Sequence, residues 1–260
     1  MDSEIVYGPV SSWRLGRSLG VDIICSRNIC SFDCIYCQLG PSEEKTTNRR
    51  LFVGTEKILT AVKKNLPEVK DDTDVITLSG TGEPSLATNM GEVIDGLHQA
   101  ENFPVAVLTN GTFLYREDVR REMKQADIVV GSLDAGDEQT WRKINRPHPD
   151  LKFSELIAGL KKFGCEYEGF FALEVMLMPQ NKDSAGDIAR LAAEIGPDEV
   201  QVNTPRRGDK IEVLTPEEIE KVEEKFTGRG LPTRSVYKAS PPEIHHFIGK
   251  DKLEHLKRPE

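Results

Sequence analysis

The sequence predicts an α/β fold, a partial TIM-like (β/α)6 barrel, from three observations. Short, mostly apolar runs alternate with amphipathic helical runs across most of the chain, the pattern of a parallel sheet whose crossovers are helices. The strand-like runs end in small and polar residues, Gly80-Thr-Gly-Glu-Pro84, Thr109-Asn-Gly111, Ser132-Leu-Asp134 and Asn203, where a barrel gathers its binding rim. At 260 residues the chain has the size of one such domain.

Residues 1–20 read as a lead-in packed on the barrel, punctuated by Gly8, Pro9, Gly16 and Gly20. Arg14 and Arg17 there are either anion contacts or solvated charges. Val21–Ile24 reads as the first strand. After a polar stretch over 41–50, Thr55 caps a helix with Ile58, Leu59, Val62 and Leu66 on one face and Pro67 as its stop. Val75–Leu78 is the second strand, followed by a helix over Met90–Gln99. Val105–Leu108 is the third, followed by a helix over Tyr115–Gln125. Ile128–Val130 is the fourth, and the passage from Trp141 to Pro149 is irregular or helical. A helix over Phe153–Phe163 leads to the fifth strand, Phe170–Met178. A helix from Ser184 with Ile188, Leu191, Ala192 and Ile195 on one side leads to the sixth, Val200–Val202. Thr215-Pro-Glu-Glu218 is a capping box opening a helix to about Phe226. Residues 239–260 read as a C-terminal helical tail beyond a 1–238 core.

Four of the five cysteines lie between Cys25 and Leu39. Cys30, Cys34 and Cys37 are spaced so that one loop turns three sulfurs inward onto an iron–sulfur cube, leaving its fourth corner open for a non-protein ligand. Zinc held by these three and Cys25 is the alternative, but a zinc ribbon supplies two separated pairs. Cys25 reads as a ligand of a second metal or as a buried structural thiol, the reading that Cys165 also takes. His98, His148, His245, His246 and His255 form no metal-ligand pattern. A glycine loop such as Gly80–Glu83 lets backbone approach a ligand, and its carboxylate suits an ammonium.

The cysteine spacing, with Tyr36 before the last cysteine and the glycine-rich, acid-ending loop one strand later, resembles the radical S-adenosylmethionine (SAM) superfamily. The passage from Ser132 to Pro147 is similar to iron–sulfur oxidoreductases that include the wyosine-forming tRNA enzymes. The resemblance covers roughly residues 7–238. It implies a [4Fe–4S] cluster on Cys30, Cys34 and Cys37, whose open iron binds SAM, and reductive cleavage of SAM to a 5′-deoxyadenosyl radical. It implies that Gly80, Gly82 and Glu83 receive SAM's methionyl amine and that Tyr36 supports the adenine edge. Thr109 and Asn110 then line the pocket, Ser132 and Asp134 contact SAM's carboxylate or ribose, and Asn203, Arg206 and Arg207 face SAM or substrate. Ser and Asn at strand ends also serve as simple backbone caps. The implied partner is an external one-electron donor of flavodoxin or ferredoxin type.

Two other readings stand beside it, a tRNA base-modifying enzyme and a non-catalytic iron–sulfur or SAM-binding protein. The net charge of −9 leans away from RNA, although Arg142, Lys143, Arg146, Arg206 and Arg207 suit a local positive rim. No run reaches the roughly 18 apolar residues of a membrane span, and no apolar signal stretch opens the sequence, so the expected compartment is the reducing cytoplasm.

Overall fold

The structure is a computed structural model that describes residues 5–26, 28–205 and 211–249. Its main sheet carries eight strands in the order β1 (Val6–Ser12), β2 (Gly16–Val21), β5 (Val75–Leu78), β6 (Val105–Thr109), β7 (Ile128–Ser132), β8 (Phe170–Met176), β9 (Glu199–Asn203), β10 (Thr233–Ser235). All neighbours pair in parallel except β1 with β2. A small parallel pair, β3 (Ile29–Cys30) with β4 (Glu44–Lys45), sits in the loop after β2. Among the described residues seven α-helices follow: α1 (Thr55–Val69), α2 (Met90–Ala100), α3 (Glu117–Met123), α4 (Glu138–Ile144), α5 (Phe153–Glu166), α6 (Ala185–Ile195) and α7 (Pro216–Thr227). The sheet is the curled partial barrel expected, with its six β/α strands being β2 and β5 to β9.

The lead-in is more than packing. It supplies both β1, as an antiparallel edge, and β2, the first barrel strand. The strand expected at Val21–Ile24 ends at Val21, because the Asp22 carboxylate accepts from Ile24 N and Cys25 N at 2.9 Å each and turns the chain. Ile23 and Ile24 are buried in that turn rather than in a strand. Thr55 does not cap α1. Gly54 holds that position, and the Thr55 hydroxyl donates to Glu92 Oε2 at 2.9 Å. The helix also runs two residues past Pro67. The helix expected over Tyr115–Gln125 is the shorter α3. The capping box of α7 is complete, with Glu218 N on Thr215 Oγ1 and Thr215 N on Glu218 Oε2. Of the expected helical tail, 239–249 is irregular rather than helical and bridges Ile248 to Gly8 on the β1 edge, and 250–260 lie outside the described residues.

The register separates the two faces of the sheet. Leu133, Leu173, Val175, Val200 and Val202 are buried, as expected of the helix-covered side. The other face aligns Ser132, Glu174, Gln201 and Arg234 side by side, with Met176 beside Asn203 one step further toward the strand ends. Most of these are half-buried, so this concave face meets solvent. Its floor is crossed by the β1–β2 turn. Arg14 forms an ion pair with Glu174, and Arg234 donates to Arg14 O at 3.1 Å and to Glu199 at 2.9 Å. Trp13 lies 5.8 Å from both guanidiniums.

Candidate active site

The cysteine loop is held over the C-terminal rim from two sides. On one side Ile29 bridges Gly82, with Ile29 N on Thr81 O at 3.1 Å and Glu83 N on Ile29 O at 3.1 Å. On the other, the chain after α4 lies along the loop, with Asp33 N on Asn145 O at 3.0 Å, Ile35 N on Ile144 O at 2.9 Å and His148 N on Ser31 O at 2.8 Å. Phe32 packs edge-on against buried Trp141 at 5.5 Å. Within the loop, Cys37 N bonds Cys34 O and Gly40 N bonds Cys37 O, two short turns that space the cysteines.

Each thiol of the triplet meets a side-chain amide. Asn110 Nδ2 lies 3.6 Å from Cys30 Sγ, Asn145 Nδ2 lies 3.4 Å from Cys34 Sγ, and Asn28 Nδ2 lies 3.8 Å from Cys37 Sγ. Burial dominates their acidity. Cys30 is pushed up to about 12, and Cys34 and Cys37 are also raised, the amide donors offsetting only part of the effect. Cys25 instead turns its thiol onto its own turn, donating to Asp22 O at 2.8 Å. Among the described residues no three His, Cys, Asp or Glu side chains gather at the distance of a single ion. Soft thiols on one loop, half-buried and supplied with N–H donors, fit a cluster ligated at three separate irons.

The remaining expected residues fall into two groups. Glu83 is 3% exposed and accepts from Ser85 N at 3.0 Å, Ser85 Oγ at 2.5 Å, Thr109 Oγ1 at 2.7 Å and Asn110 N at 2.7 Å. Its carboxyl is raised by burial, which those donors resist. Asp134 is equally buried and is pushed up to about 6 by burial, against hydrogen bonds from Tyr36 Oη at 2.5 Å, Asn145 Nδ2 at 2.6 Å and Met176 N at 2.9 Å. Glu83, Thr109 and Asp134 thus tie strand ends together. Tyr36, Asn110, Ser132 and Asn203 are half-buried at the rim, and Asn203 donates to Glu174 at 2.8 Å. Gly80 and Gly82 are glycine for reasons inside the protein. At φ +155° and +157°, an added Cβ would lie 2.3 Å from the Asp22 carboxyl carbon and 1.9 Å from Ile29 O. Arg206 and Arg207 lie outside the described residues.

Sequence reasoning gave no role to Asn28, Asn145, Asp22 or Glu174. The spacing signal marks the cysteines alone, whereas these four are placed by the fold, Asn145 from 111 residues beyond Cys34.

The radical SAM superfamily profile matches residues 24–192, more than half of the chain. A UPF0026 protein of Synechocystis is 39% identical over 203 residues, covering 78% of this chain and 76% of that one. A protein named GTPase Obg from Brachyspira hyodysenteriae is 37% identical over 232 residues, 87% of this chain, which spans 34% of that protein's length. Among solved structures, that of TYW1 with a lysine-pyruvate adduct bound superposes with a TM-score of 0.63 at 19% identity, covering 82% of this chain and 73% of that one, a likeness of fold. No described helix is long and apolar enough to cross a membrane. The cysteine loop, the curled parallel sheet beneath it and the profile match agree: the chain belongs to the radical SAM superfamily and is a radical SAM enzyme.

Proposed function

We propose that this enzyme carries a [4Fe–4S] cluster on Cys30, Cys34 and Cys37 and cleaves SAM to modify a polar substrate held on the concave face of the sheet. The observation that carries the reading is the presentation of three half-buried thiols, each with an amide donor, by one loop anchored on both sides of the C-terminal rim. When bound, the cluster and SAM together supply a 5′-deoxyadenosyl radical, and an external one-electron donor of flavodoxin or ferredoxin type supplies the electron.

The protein's part is to bind, orient and keep water out. Tyr36, Asn110, Ser132 and Asn203 expose polar atoms at the rim and are the residues proposed to touch SAM. Gly80, Gly82, Glu83, Thr109 and Asp134 lie behind them. Glu83 already receives four hydrogen bonds, so it fixes Asn110 and Thr109 and lends its charge to an ammonium placed above them. Asp134 fixes the Tyr36 hydroxyl. Substrate would then meet the row of Ser132, Glu174 and Arg234, a surface of hydrogen-bonding and paired charged groups. The tRNA reading draws less from the surface described. Arg142 is held by Glu138 at 2.7 Å and Leu151 O at 3.2 Å.

The test is anaerobic reconstitution with iron and sulfide, reduction, and assay of 5′-deoxyadenosine from SAM. Four irons per chain and SAM-dependent product are expected, and Cys34→Ala should lose both. A cluster-replete protein that binds SAM without cleaving it would overturn the enzymatic reading in favour of a non-catalytic binding protein.

A further inference from the structure

Asn28, Asn110 and Asn145 come from three separate segments: the turn before β3, the end of β6 and the end of α4. Each brings its carboxamide to a different cysteine of the triplet. Second partners fix which way each amide faces. Asn28 Nδ2 also donates to Gly40 O at 2.9 Å. Asn110 Oδ1 accepts from Thr112 N at 3.0 Å, which leaves Nδ2 on the side of Ser31 Oγ and Cys30 Sγ. Asn145 Nδ2 donates to Asp134 Oδ2, while its buried Oδ1 has no hydrogen-bond partner. A native core tolerates such an orphaned oxygen when another contact fixes the group, and here Asp134 holds the N–H edge toward Cys34.

We propose that these three asparagines are positioning residues that set the reduction potential of the cluster and secure its retention, one N–H donor for each cysteine sulfur. The inference rests on the proposed cluster. Reduction adds one electron, and part of that charge resides on the sulfurs. An N–H dipole aimed at a sulfur stabilises the reduced state more than the oxidised one and so raises the potential. Replacing the amide by an apolar group of similar shape removes the donor and leaves the volume filled.

The experiment is a redox titration, followed by electron paramagnetic resonance, of reconstituted wild type, Asn28→Leu and Asn110→Leu at matched iron content. Each variant is expected to titrate at a more negative potential, with the reduced-to-oxidised ratio at a fixed poise falling about tenfold, equivalent to about 59 mV for one electron. Iron-replete variants that titrate at the wild-type potential would overturn the proposal. Should a variant fail to load, wild type labelled with 15N at the asparagine carboxamides decides. Nitrogen coupling to the reduced cluster supports the assignment and its absence overturns it. A wild type that takes up no cluster sinks the functional reading itself, whereas a loaded wild type with unshifted variants sinks only the role of the asparagines.

Discussion

Gly82 has no room for a methyl group, and the obstacle is the backbone of the cysteine loop. An alanine there would combine a φ that L side chains rarely adopt with a contact to Ile29 O at 1.9 Å. The parallel bridge that seats Cys30 against the β5 rim would have to open. Gly82→Ala is therefore expected to destabilise the apoprotein by about 3 kcal/mol, as strained backbone changes do, and to lower iron per chain after reconstitution. Urea unfolding and iron assay check both effects. Unchanged iron content would show that the bridge is not what seats the loop. At this scale the sequence spoke unevenly. That Cys30, Cys34 and Cys37 share one loop was legible because cysteine spacing is a local property. Asn28 and Asn145 were not, because an asparagine near a turn has many ordinary uses, and only the tertiary fold brings Asn145 to Cys34. The glycines of the Gly80–Glu83 loop were legible as a motif, but the reason for them was not, since it lies in Asp22 and Ile29.

The elements around the site are joined by one buried cation that the sequence did not advertise. Arg49, with its side chain 7% exposed, pairs with Glu122 and donates to Ser85 O at 2.8 Å and Ala87 O at 3.0 Å, fastening the segment after β4 to the β5–α2 connection and to α3. Asp118, at the start of α3, takes Arg116 at 2.7 Å and Arg49 at 3.3 Å, and these partners, Arg116 first, hold its carboxyl down to about 2. A carboxyl depressed in the folded state stabilises above its unfolded pKa, near 3.8, and that contribution disappears as pH falls toward 2. Solvent screening of this half-exposed pair keeps the effect below about 1 kcal/mol. Asp118→Asn is expected to lower the melting temperature slightly at pH 7 and to leave it unchanged at pH 2, so that the acid limb of stability between pH 4 and 2 flattens. The strands β5 to β9 were legible from their apolar runs. Strand β2 was not, because Gly16-Arg-Ser-Leu-Gly-Val21 has little strand propensity. It is a strand because Gly20 makes room for the Tyr7 ring, whose hydroxyl bonds Ser79 at 2.8 Å.

On the scale of the whole molecule, the β1–β2 turn crosses the floor of the partial barrel and links its first and last strands. Arg14 reaches Glu174 on β8, and Arg234 on β10 reaches back to Arg14 O. Arg14→Met removes the partner of a largely buried carboxylate and is expected to cost about 3 kcal/mol, whereas the double change Arg14→Met with Glu174→Leu should recover most of it. A urea denaturation cycle measures the coupling. Purely additive losses would mean that the pair does not join the two ends of the sheet. The six-unit barrel was readable from the alternation of elements, but the turn that crosses its floor was not, because the lead-in carries no strand-like periodicity to announce it.

The walls of the cysteine loop come from far downstream: Asn145, which covers Cys34, is encoded 111 residues later. During synthesis that interval lasts about 6 to 22 s. For that time the nascent chain displays Cys34 without the Asn145 amide that faces it in the folded protein, so a chain stopped before residue 145 would lack one wall of the proposed cluster site.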